Sequence, residues 1–434
     1  MNKVRTIAFY LPQFHPISEN DEWWGKDFTE WTNVKKAKPL FDEHYQPHVP
    51  HGDIGYYDLR DRNVQKKQME IAQKFGIHGF CYYHYWFDGK KLLETPLQTM
   101  LKDPEINFPF CVCWANENWT RRWDGNDKKV LIAQNHNKED DRRFIQDLMP
   151  VLKDKRYILV DGKPLVLIYR PALLPDPKET MRMWREEAQR NGFDDLFIVR
   201  IENFDRNIDS RIFGCDAGVK FAPNFDVLSN DKIFEKPLTG TYDSLIMEDI
   251  MDCDRDYPLY KSVCPSWDNA ARRQDRGGIT FVGSSPEKYR YWFEKVLEYT
   301  IHHFKNEEQL VFINAWNEWG EGAHLEPDMK FGYKWLEATR IALQNVNNTG
   351  DLVMQYEFFS KIHKKIKKLE RVVKKKGEEV SQLRAVVSHR DQELRFLQSS
   401  KFWKLRELHS KIKFMCVHPI KFGKKYYSKV LRNE

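Results

Sequence analysis

Eight short apolar runs, each of strand length, recur through the first 320 residues of the chain. They read VRTIAFYLP, GIHGFCYYHYW, FPFCVCWAN, KPLVLIYRP, LFIVRIEN, CDAGVKFAP, KSVCPSWDN and QLVFINAWNEW. Charged stretches with apolar residues at helical spacing, such as Ile71, Ala72 and Phe75, lie between most of them. Apolar strands that alternate with amphipathic helices are typical of a parallel sheet covered on both faces. Eight such units predict a (β/α)8 barrel of the TIM type over residues 1–350.

An open doubly wound sheet is the alternative architecture. Such a sheet usually has a Gly-rich turn after its first strand. The first run here ends in YLPQFHP, which contains no G-x-G-x-x-G. The closed barrel is therefore favoured.

Polar and aromatic residues follow most of these runs at the point where each predicted strand ends. Barrel enzymes place their binding and catalytic groups at this end of the strands, so we expect a site there. Any one of these residues could instead make a structural hydrogen bond, but the whole set favours a functional loop cluster. The candidate substrate-binding residues are Tyr10, Gln13, His15, His84, Tyr85, Trp86, Trp114, Asn116, Glu117, Trp119, Tyr169, Arg170, Glu202, Asn203, Trp267, Asp268, Asn269, Trp316, Asn317 and Trp319.

These residue types are typical of carbohydrate binding, because aromatic rings stack on sugar faces while amides and carboxylates bind hydroxyl groups. Cleavage of a glycosidic bond needs one protonated and one charged carboxyl group. The last run leads into WNEWGEGAHLEP, in which Glu318 and Glu321 are three residues apart. Two close carboxyl groups push one pKa upward and so supply both forms. We therefore predict Glu318 and Glu321 as the catalytic pair, with Glu117 and Glu202 in reserve, and two solvated surface glutamates as the alternative.

Several longer motifs carry a resemblance to known families over about residues 4–345. The motifs AFYLPQFHP, DEWWGKDFTEWTNV, CWANENWTRRWDG and WNEWGEGAHLEPD resemble those of WbsX-like proteins from bacterial surface-polysaccharide clusters. The segment NEWGEGAHLEP is similar to the motif after the last barrel strand in glycoside hydrolase family 99, the endo-α-mannosidase and endo-mannanase barrels.

The resemblance implies a metal-independent, retaining reaction on glycosidic bonds during lipopolysaccharide O-antigen or capsular polysaccharide biosynthesis. It implies that Glu318 deprotonates the neighbouring sugar hydroxyl to give an epoxide-like intermediate. Glu321 would protonate the leaving group and then act as base for the incoming acceptor. Water as acceptor gives hydrolysis and a sugar hydroxyl gives transfer, and both stay open.

Two other functions remain possible from the residues. A sugar-nucleotide-dependent glycosyltransferase would want a D-x-D after a strand, and the candidate, Asp254 to Asp256, does not follow an apolar run. A catalytically inactive glycan-binding protein is the third hypothesis. Four arginines in loops after the third and seventh runs could meet an anionic substrate or simply be solvated; they are Arg121, Arg122, Arg272 and Arg273.

We expect neither a cofactor nor a metal ion. No His, Asp and Glu spacing in the chain is typical of a metal site. The seven cysteines are scattered and include no C-x-x-C pair, which also disfavours a disulfide framework.

The C-terminal part predicts a coiled coil over residues 353–400. Apolar residues fall on alternating steps of three and four, the pattern of a parallel two-stranded coil that would give a homodimer, and a single solvated helix is the alternative. The core positions are Ile362, Ile366, Leu369, Val373, Val380, Leu383, Val387, Leu394 and Leu397, with Lys376 and Arg390 in two further core slots.

Residues 401–434 form a basic, aromatic tail. Residues 361–434 hold 22 Lys and Arg against 7 Asp and Glu. Such a tail suits peripheral contact with an anionic membrane or with a partner complex. The rest of the chain is acidic, which disfavours a nucleic-acid partner. The N-terminal apolar stretch is too short for a signal peptide and no run approaches about 18 apolar residues, so we expect a cytoplasmic protein, with the tail on the inner face of the cell membrane.

Overall fold

The computed structural model describes residues 4–121, 126–203, 205–229, 238–252, 255–273, 278–348 and 375–393, with a few further positions of the tail. The chain divides into two compact units, Met1–Phe358 and Phe359–Glu434. Each unit is described by itself below.

Eight parallel strands form a closed barrel in the first unit, and the predicted (β/α)8 architecture is confirmed. Neighbours in the sequence pair around the ring, and the last strand pairs with the first, with Arg5 opposite Leu310. Six of the eight predicted runs contain a whole strand of the ring, and the other two overlap theirs. The strands are β1 (Arg5–Tyr10), β2 (Gly79–Phe87), β3 (Phe110–Trp114), β4 (Lys163–Ile168), β5 (Phe197–Glu202), β6 (Ala217–Lys220), β7 (Leu259–Val263) and β8 (Leu310–Ile313).

The described α-helices lie on the outside of the ring or in loops at the C-terminal ends of its strands. They are α1 (Ser18–Trp24), α2 (Glu30–Lys36), α3 (Arg62–Lys74), α4 (Thr95–Lys102), α5 (Lys138–Leu152), α6 (Pro177–Arg190), α7 (Tyr242–Met251), α8 (Ala270–Arg273), α9 (Pro286–His303) and α10 (Lys334–Asn348). Between β5 and β6 the described residues form a 3-10 helix, Ser210–Phe213, in place of an α-helix.

The covering helices follow the predicted apolar spacing. Helix α5 buries Phe144, Ile145 and Leu148 against the barrel, and its first turn is capped by Asn137, whose side chain accepts from the Asp140 amide. Such a cap satisfies one of the amides that a helix start leaves unpaired.

Short strands outside the ring pair with one another or with the ends of ring strands. Segment Trp119–Arg121 pairs with Asn126–Ile132, and Lys90–Leu92 pairs with the end of β2. Leu238–Thr241 pairs with Ile279–Val282, Leu159–Val160 pairs with β4, and Asn317–Glu318 pairs with Ala323–His324. The last pair contains the predicted catalytic loop.

Residues 375–393 of the second unit are helical and exposed. Three predicted coiled-coil positions lie here, Val380, Leu383 and Val387, and each side chain is about half or more exposed. The other apolar core positions and nearly all of residues 401–434 lie outside the described residues, so the coiled coil and the tail contact stay predictions. Among the described helices, none is both long and apolar enough to cross a membrane.

Candidate active site

A cleft of about 600 Å³ opens where the barrel strands end. Half of the predicted site residues come together around it. They are Gln13, Tyr85, Glu117, Trp119, Tyr169, Arg170, Asn203, Trp267, Asn269, Glu318 and Glu321.

The other predicted residues lie behind the cleft. These are Tyr10, His15, His84, Trp86, Trp114, Asn116, Glu202, Asp268, Trp316, Asn317 and Trp319, and all are buried. Their hydrogen bonds or packing contacts are made within the protein, so the geometry does not support direct substrate contact for them.

Two of the predicted tryptophans belong to the core. The ring of Trp114 stacks on Phe144 with 4.3 Å between centroids and lies 5.6 Å from Trp184. The indole of Trp86 donates to Asp140 at 3.0 Å. Successive side chains of a strand point to opposite faces, so a tryptophan near a strand end can face the helices instead of the cleft.

Buried polar residues among this group hold loops together. The amide of Asn317 accepts from the backbone N–H of Leu11 at 2.7 Å and donates to its carbonyl at 3.0 Å, which joins the loops after β8 and β1. Asn116 makes the equivalent pair of bonds to the backbone of Arg170. Asp268 accepts from Gln46 and pairs with His44 at 2.7 Å.

Four further members of the group have buried surroundings within the protein. The Tyr10 hydroxyl donates to Gln68 at 2.7 Å, and Glu202 accepts from Arg200 at 2.7 Å. Burial lowers the pKa of His84 to about 4 and also lowers that of His15, so both imidazoles are neutral at pH 7.

Glu326, which the sequence did not single out, anchors the two tryptophans of the WNEW motif. Its carboxylate accepts from the indoles of Trp316 at 3.0 Å and Trp319 at 2.6 Å, and from Tyr57 at 2.7 Å and Gln68 at 2.6 Å. Burial raises the pKa of Glu326 to about 7, against the opposing effect of these hydrogen bonds. The HLEP segment therefore positions the catalytic loop from behind.

One guanidinium joins the two predicted catalytic glutamates. Arg272 donates from Nη2 to Glu318 at 2.7 Å and from Nη1 to Glu321 at 2.5 Å. Its Nε donates to Glu30 at 2.7 Å. The Glu318 side chain is 6% exposed, whereas that of Glu321 is 22% exposed toward the cleft. The two acids therefore bind the same guanidinium, and Glu318 is more deeply buried than Glu321.

Burial raises the pKa of Glu318 to about 8. Arg272 opposes this rise, while the negative charges of Glu321 and Glu30 add to it. Burial lowers the pKa of Arg272, but the three carboxylates outweigh it and the pKa lies well above its usual value. The site therefore holds a charged guanidinium beside Glu318, whose carboxyl group keeps its proton to a higher pH than an exposed glutamate does.

The loop that carries both acids turns tightly. Gly322 has a φ of 60°, a left-handed conformation that favours glycine, and its carbonyl accepts from Ser266. At Gly320 a Cβ would overlap the carboxylate of Glu30, so only glycine fits the observed packing.

A second group of polar side chains lines the cleft from the loops after β3, β4 and β5. Arg170 pairs with Glu117 at 2.8 Å, and Asn203 donates to the hydroxyl of Tyr169 at 3.0 Å. Together with the ring of Trp119, these groups offer hydrogen-bond donors, acceptors and an aromatic face, as a sugar site requires.

Sequence reasoning missed several residues of the site. Asn20, Trp24, Tyr83 and Asn118 line the cleft, and Glu30 contacts Arg272 from outside it. The motif DEWWGKDFTEW, rich in aromatic and acidic residues, was the available signal for Trp24 and Glu30. It follows no strand directly, and so it was not assigned to the strand-end cluster.

One group of described residues could hold a metal ion. Ligand atoms of His48, His324 and Asp328 lie within 4.8 Å of one another, and all three residues are buried. The Nδ1 of His324 donates to the Glu326 carbonyl, so its Nε2 accepts from His48 Nδ1 at 2.8 Å. Burial lowers the pKa of His48 to about 3. A hydrogen bond between two neutral imidazoles accounts for this arrangement.

Comparisons with known structures agree with the barrel. Two structures of the GH99 endo-alpha-mannosidase from Bacteroides thetaiotaomicron align with TM-scores of 0.50 and 15% identity, covering 80% and 83% of this chain and 98% and 100% of theirs. A glycoside hydrolase-like protein aligns with the same TM-score at 13% identity over 79% of this chain and 94% of its own. At such identities the likeness shows the fold.

Sequence comparisons identify related proteins and a matching family. Two proteins from strains of Xanthomonas campestris, each described as uncharacterized protein WxcX, are 44% identical over 344 and 346 residues. The alignments cover 78% of this chain and 49% of theirs, so the chain spans about half the length of the curated relatives it matches. The family model described as glycosyltransferase WbsX matches residues 6–339, well over half of the chain. The chain therefore belongs to the WbsX glycosyltransferase family.

Proposed function

We propose that this chain is a carbohydrate-active enzyme that breaks or re-forms glycosidic bonds, with Glu318 and Glu321 as the acid and base. The substrate would be an oligosaccharide or polysaccharide of lipopolysaccharide O-antigen or capsule assembly in bacteria. The observation that carries the proposal is the binding of both carboxyl groups to the guanidinium of Arg272 at the wall of one aromatic cleft.

The two acids differ in surroundings as the reaction requires. Glu318 is buried and its pKa is raised to about 8, so it would start the reaction with a proton. Glu321 is the more exposed of the two. A protonated and a charged carboxyl group at one site is the arrangement that glycosidic cleavage uses.

This protonation differs from the roles that the resemblance implies, in which Glu318 is the base. We infer that Glu318 is the proton donor of the resting enzyme. Either Glu318 is the acid and Glu321 the base, or the reverse. The dependence of activity on the leaving group decides between these two assignments, because a glycoside with a strongly activated aryl leaving group needs no protonation. If Glu318 is the acid, Glu318→Gln should keep activity toward such a substrate, whereas Glu321→Gln should lose it. The opposite pattern would support the roles that the resemblance implies, with Glu318 as the base and Glu321 as the acid.

The acceptor is best identified from products. Full-length protein incubated with lipid-linked repeat units or surface polysaccharide of the source bacterium should shorten, lengthen or exchange the chains. Transfer is the favoured outcome because the matching family is described as a glycosyltransferase. Turnover of a nucleotide sugar, with loss of activity on chelation, would instead support the sugar-nucleotide mechanism. Glycan binding without any product would support the inactive binding protein.

The remaining sequence predictions complete the proposal. We propose a catalytic region over residues 1–350, a coiled coil over 353–400 that makes a homodimer, and a basic tail over 401–434 that holds the enzyme on the inner face of the cell membrane. Their basis is the charge and heptad pattern of the sequence. Co-sedimentation of full-length and tail-deleted protein with anionic vesicles tests the tail, since equal pelleting would contradict it.

A further inference from the structure

Glu30 belongs to the motif DFTEW, which the proposed function leaves without a role. It is the first residue of α2 and its side chain is fully buried. One carboxylate oxygen accepts from Arg272 Nε at 2.7 Å. The other is buried without a hydrogen-bond partner among the described residues. A buried carboxylate with an unsatisfied oxygen is costly and calls for an explanation.

The catalytic loop is fitted around this carboxylate. Gly320 lies between Glu318 and Glu321, and a Cβ there would overlap Glu30 Oε1 and approach Arg272 Nε. The loop therefore approaches Glu30 as closely as a residue without a side chain permits.

The hydrogen bonds of Arg272 divide between the three acids. Nε faces Glu30, which leaves Nη1 for Glu321 and Nη2 for Glu318. A guanidinium is planar and rigid, so fixing one edge fixes the direction of the others. Without Glu30, the guanidinium could rotate to form a two-bond pair with one acid and leave the second.

The titratable groups that face Glu318 come from four parts of the described structure. Arg272 on α8, Glu321 on the same loop and Glu30 on α2 all act on it directly. Tyr83 and Tyr85 on β2 also face Glu318, and burial holds both phenols in the neutral form by raising their pKa. Among the described residues, Arg272 thus binds three carboxyl groups, and the charge of the third, Glu30, makes full ionisation of the other two less favourable.

We propose that Glu30 is a positioning residue that aims Arg272 at both Glu318 and Glu321 and, by its charge, keeps one proton on that pair. The catalytic role of this proton rests on the proposed function, but the effect of Glu30 on the protonation of Glu318 can be measured without a substrate. A merely structural ion pair between α2 and α8 is the competing explanation.

Carbon-13 NMR of the full chain labelled at the Glu carboxyl carbons tests the proposal, with the Glu318 resonance assigned by its loss in Glu318→Gln. In Glu30→Gln, which keeps the side-chain shape but removes the charge, the titration midpoint of Glu318 should fall by roughly one pH unit, the effect of one nearby charge. Glu22→Gln, at an exposed position of α1, is the matched control and should leave the midpoint unchanged.

A lowered melting temperature with an unchanged Glu318 midpoint in Glu30→Gln would overturn the proposal in favour of a structural ion pair. Should Glu30→Gln not fold, Arg272→Lys tests the same connection, because an ammonium cannot hold three carboxylates in fixed directions. The midpoint should then rise, and an unchanged midpoint would overturn the proposal. If Glu30→Gln lowers the Glu318 midpoint as expected but the wild-type protein acts on no glycan, the proposal for Glu30 stands and the proposed function is contradicted instead.

Discussion

The indole of Trp319 lies face to face with the imidazole of His324, with 3.7 Å between ring centres and 14° between ring planes. The two residues flank the loop that carries Glu321. With Glu326 accepting from the Trp319 indole, the stack holds the loop from the side opposite the cleft. The WNEWGEGAHLEP motif therefore supplies both the carboxyl groups that we propose as catalytic and their support.

Replacement of Glu326 by Gln should destabilise the protein. An amide in this position turns one acceptor into a donor that faces the N–H and O–H groups of Trp316, Trp319, Tyr57 and Gln68. We expect a loss of about 2–3 kcal/mol in the free energy of unfolding, because buried donors lose their acceptor. Urea unfolding measures this loss. Glu337→Gln, at an exposed position of α10, is the control; equal stability of the two variants would contradict the anchoring role.

Substitution of either proposed catalytic acid should abolish turnover without abolishing binding. On a natural saccharide without an activated leaving group, Glu318→Gln and Glu321→Gln should each lower kcat by about 10²–10⁴, the typical contribution of acid–base catalysis. Saccharide affinity, measured by calorimetry, should change little. Unchanged product formation in both variants would defeat the assignment. If protonated Glu318 is required, wild-type activity should also decline as the pH rises past about 8.

The contribution of Glu318 and Glu326 to stability should fall as the pH rises from about 5 to 8, whereas buried histidines with a lowered pKa, such as His84, act in the opposite direction below about pH 6.5. A carboxyl group whose pKa is higher in the folded than in the unfolded state stabilises the fold fully below its unfolded pKa, and this contribution disappears as the pH rises through the folded pKa. Glu318, with a folded pKa of about 8, and Glu326, with about 7, both act this way. As the pH rises from about 5 to 8, the urea midpoint of Glu318→Gln should increase relative to that of the wild type, because the variant lacks the contribution that the wild type loses. An identical slope for the variant and the wild type would count against a raised pKa.

Two tryptophans offer a matched test of cleft and core. Trp119 lines the cleft, so Trp119→Ala should weaken saccharide binding by roughly ten- to a hundredfold. Trp114 packs against Phe144 in the core, so Trp114→Ala should cost about 3–5 kcal/mol of stability. Calorimetry and urea unfolding of both variants separate the effects. Loss of binding in a Trp114→Ala protein that remains as stable as wild type would indicate that the core assignment is wrong.

Chelation should leave the protein unchanged if His48 and His324 form a simple hydrogen bond. We expect the same melting temperature before and after dialysis against a chelator, and less than one equivalent of any divalent metal by elemental analysis. A lowered melting temperature after chelation, restored by zinc but not by magnesium, would show instead that His48, His324 and Asp328 bind an ion.

The barrel was predictable because each strand is a short apolar run that needs no knowledge of its partners. The proximity of Glu318 and Glu321 was predictable for the same reason, since both lie in one segment directly after β8. The direction of a side chain was not predictable from its place at a strand end. Tyr85 lines the cleft whereas the next residue, Trp86, bonds to Asp140 behind it, because neighbouring side chains of a strand alternate.

Contacts between distant segments were also hidden. Glu30 and Arg272 are 242 residues apart, and neither lies in a pattern that points to the other. The same holds for Glu326, whose four donors come from three separate segments. Such pairings depend on how loops pack above the barrel, which hydrophobic periodicity does not encode.

The bond pair between Asn317 and the backbone of Leu11 joins the two ends of the barrel at the point where the ring shuts. During synthesis on the ribosome, Leu11 emerges long before Asn317. The two carboxyl groups that we propose as catalytic therefore reach their observed positions only after the final strand has docked beside the first, so any activity that depends on them can arise only in the closed barrel.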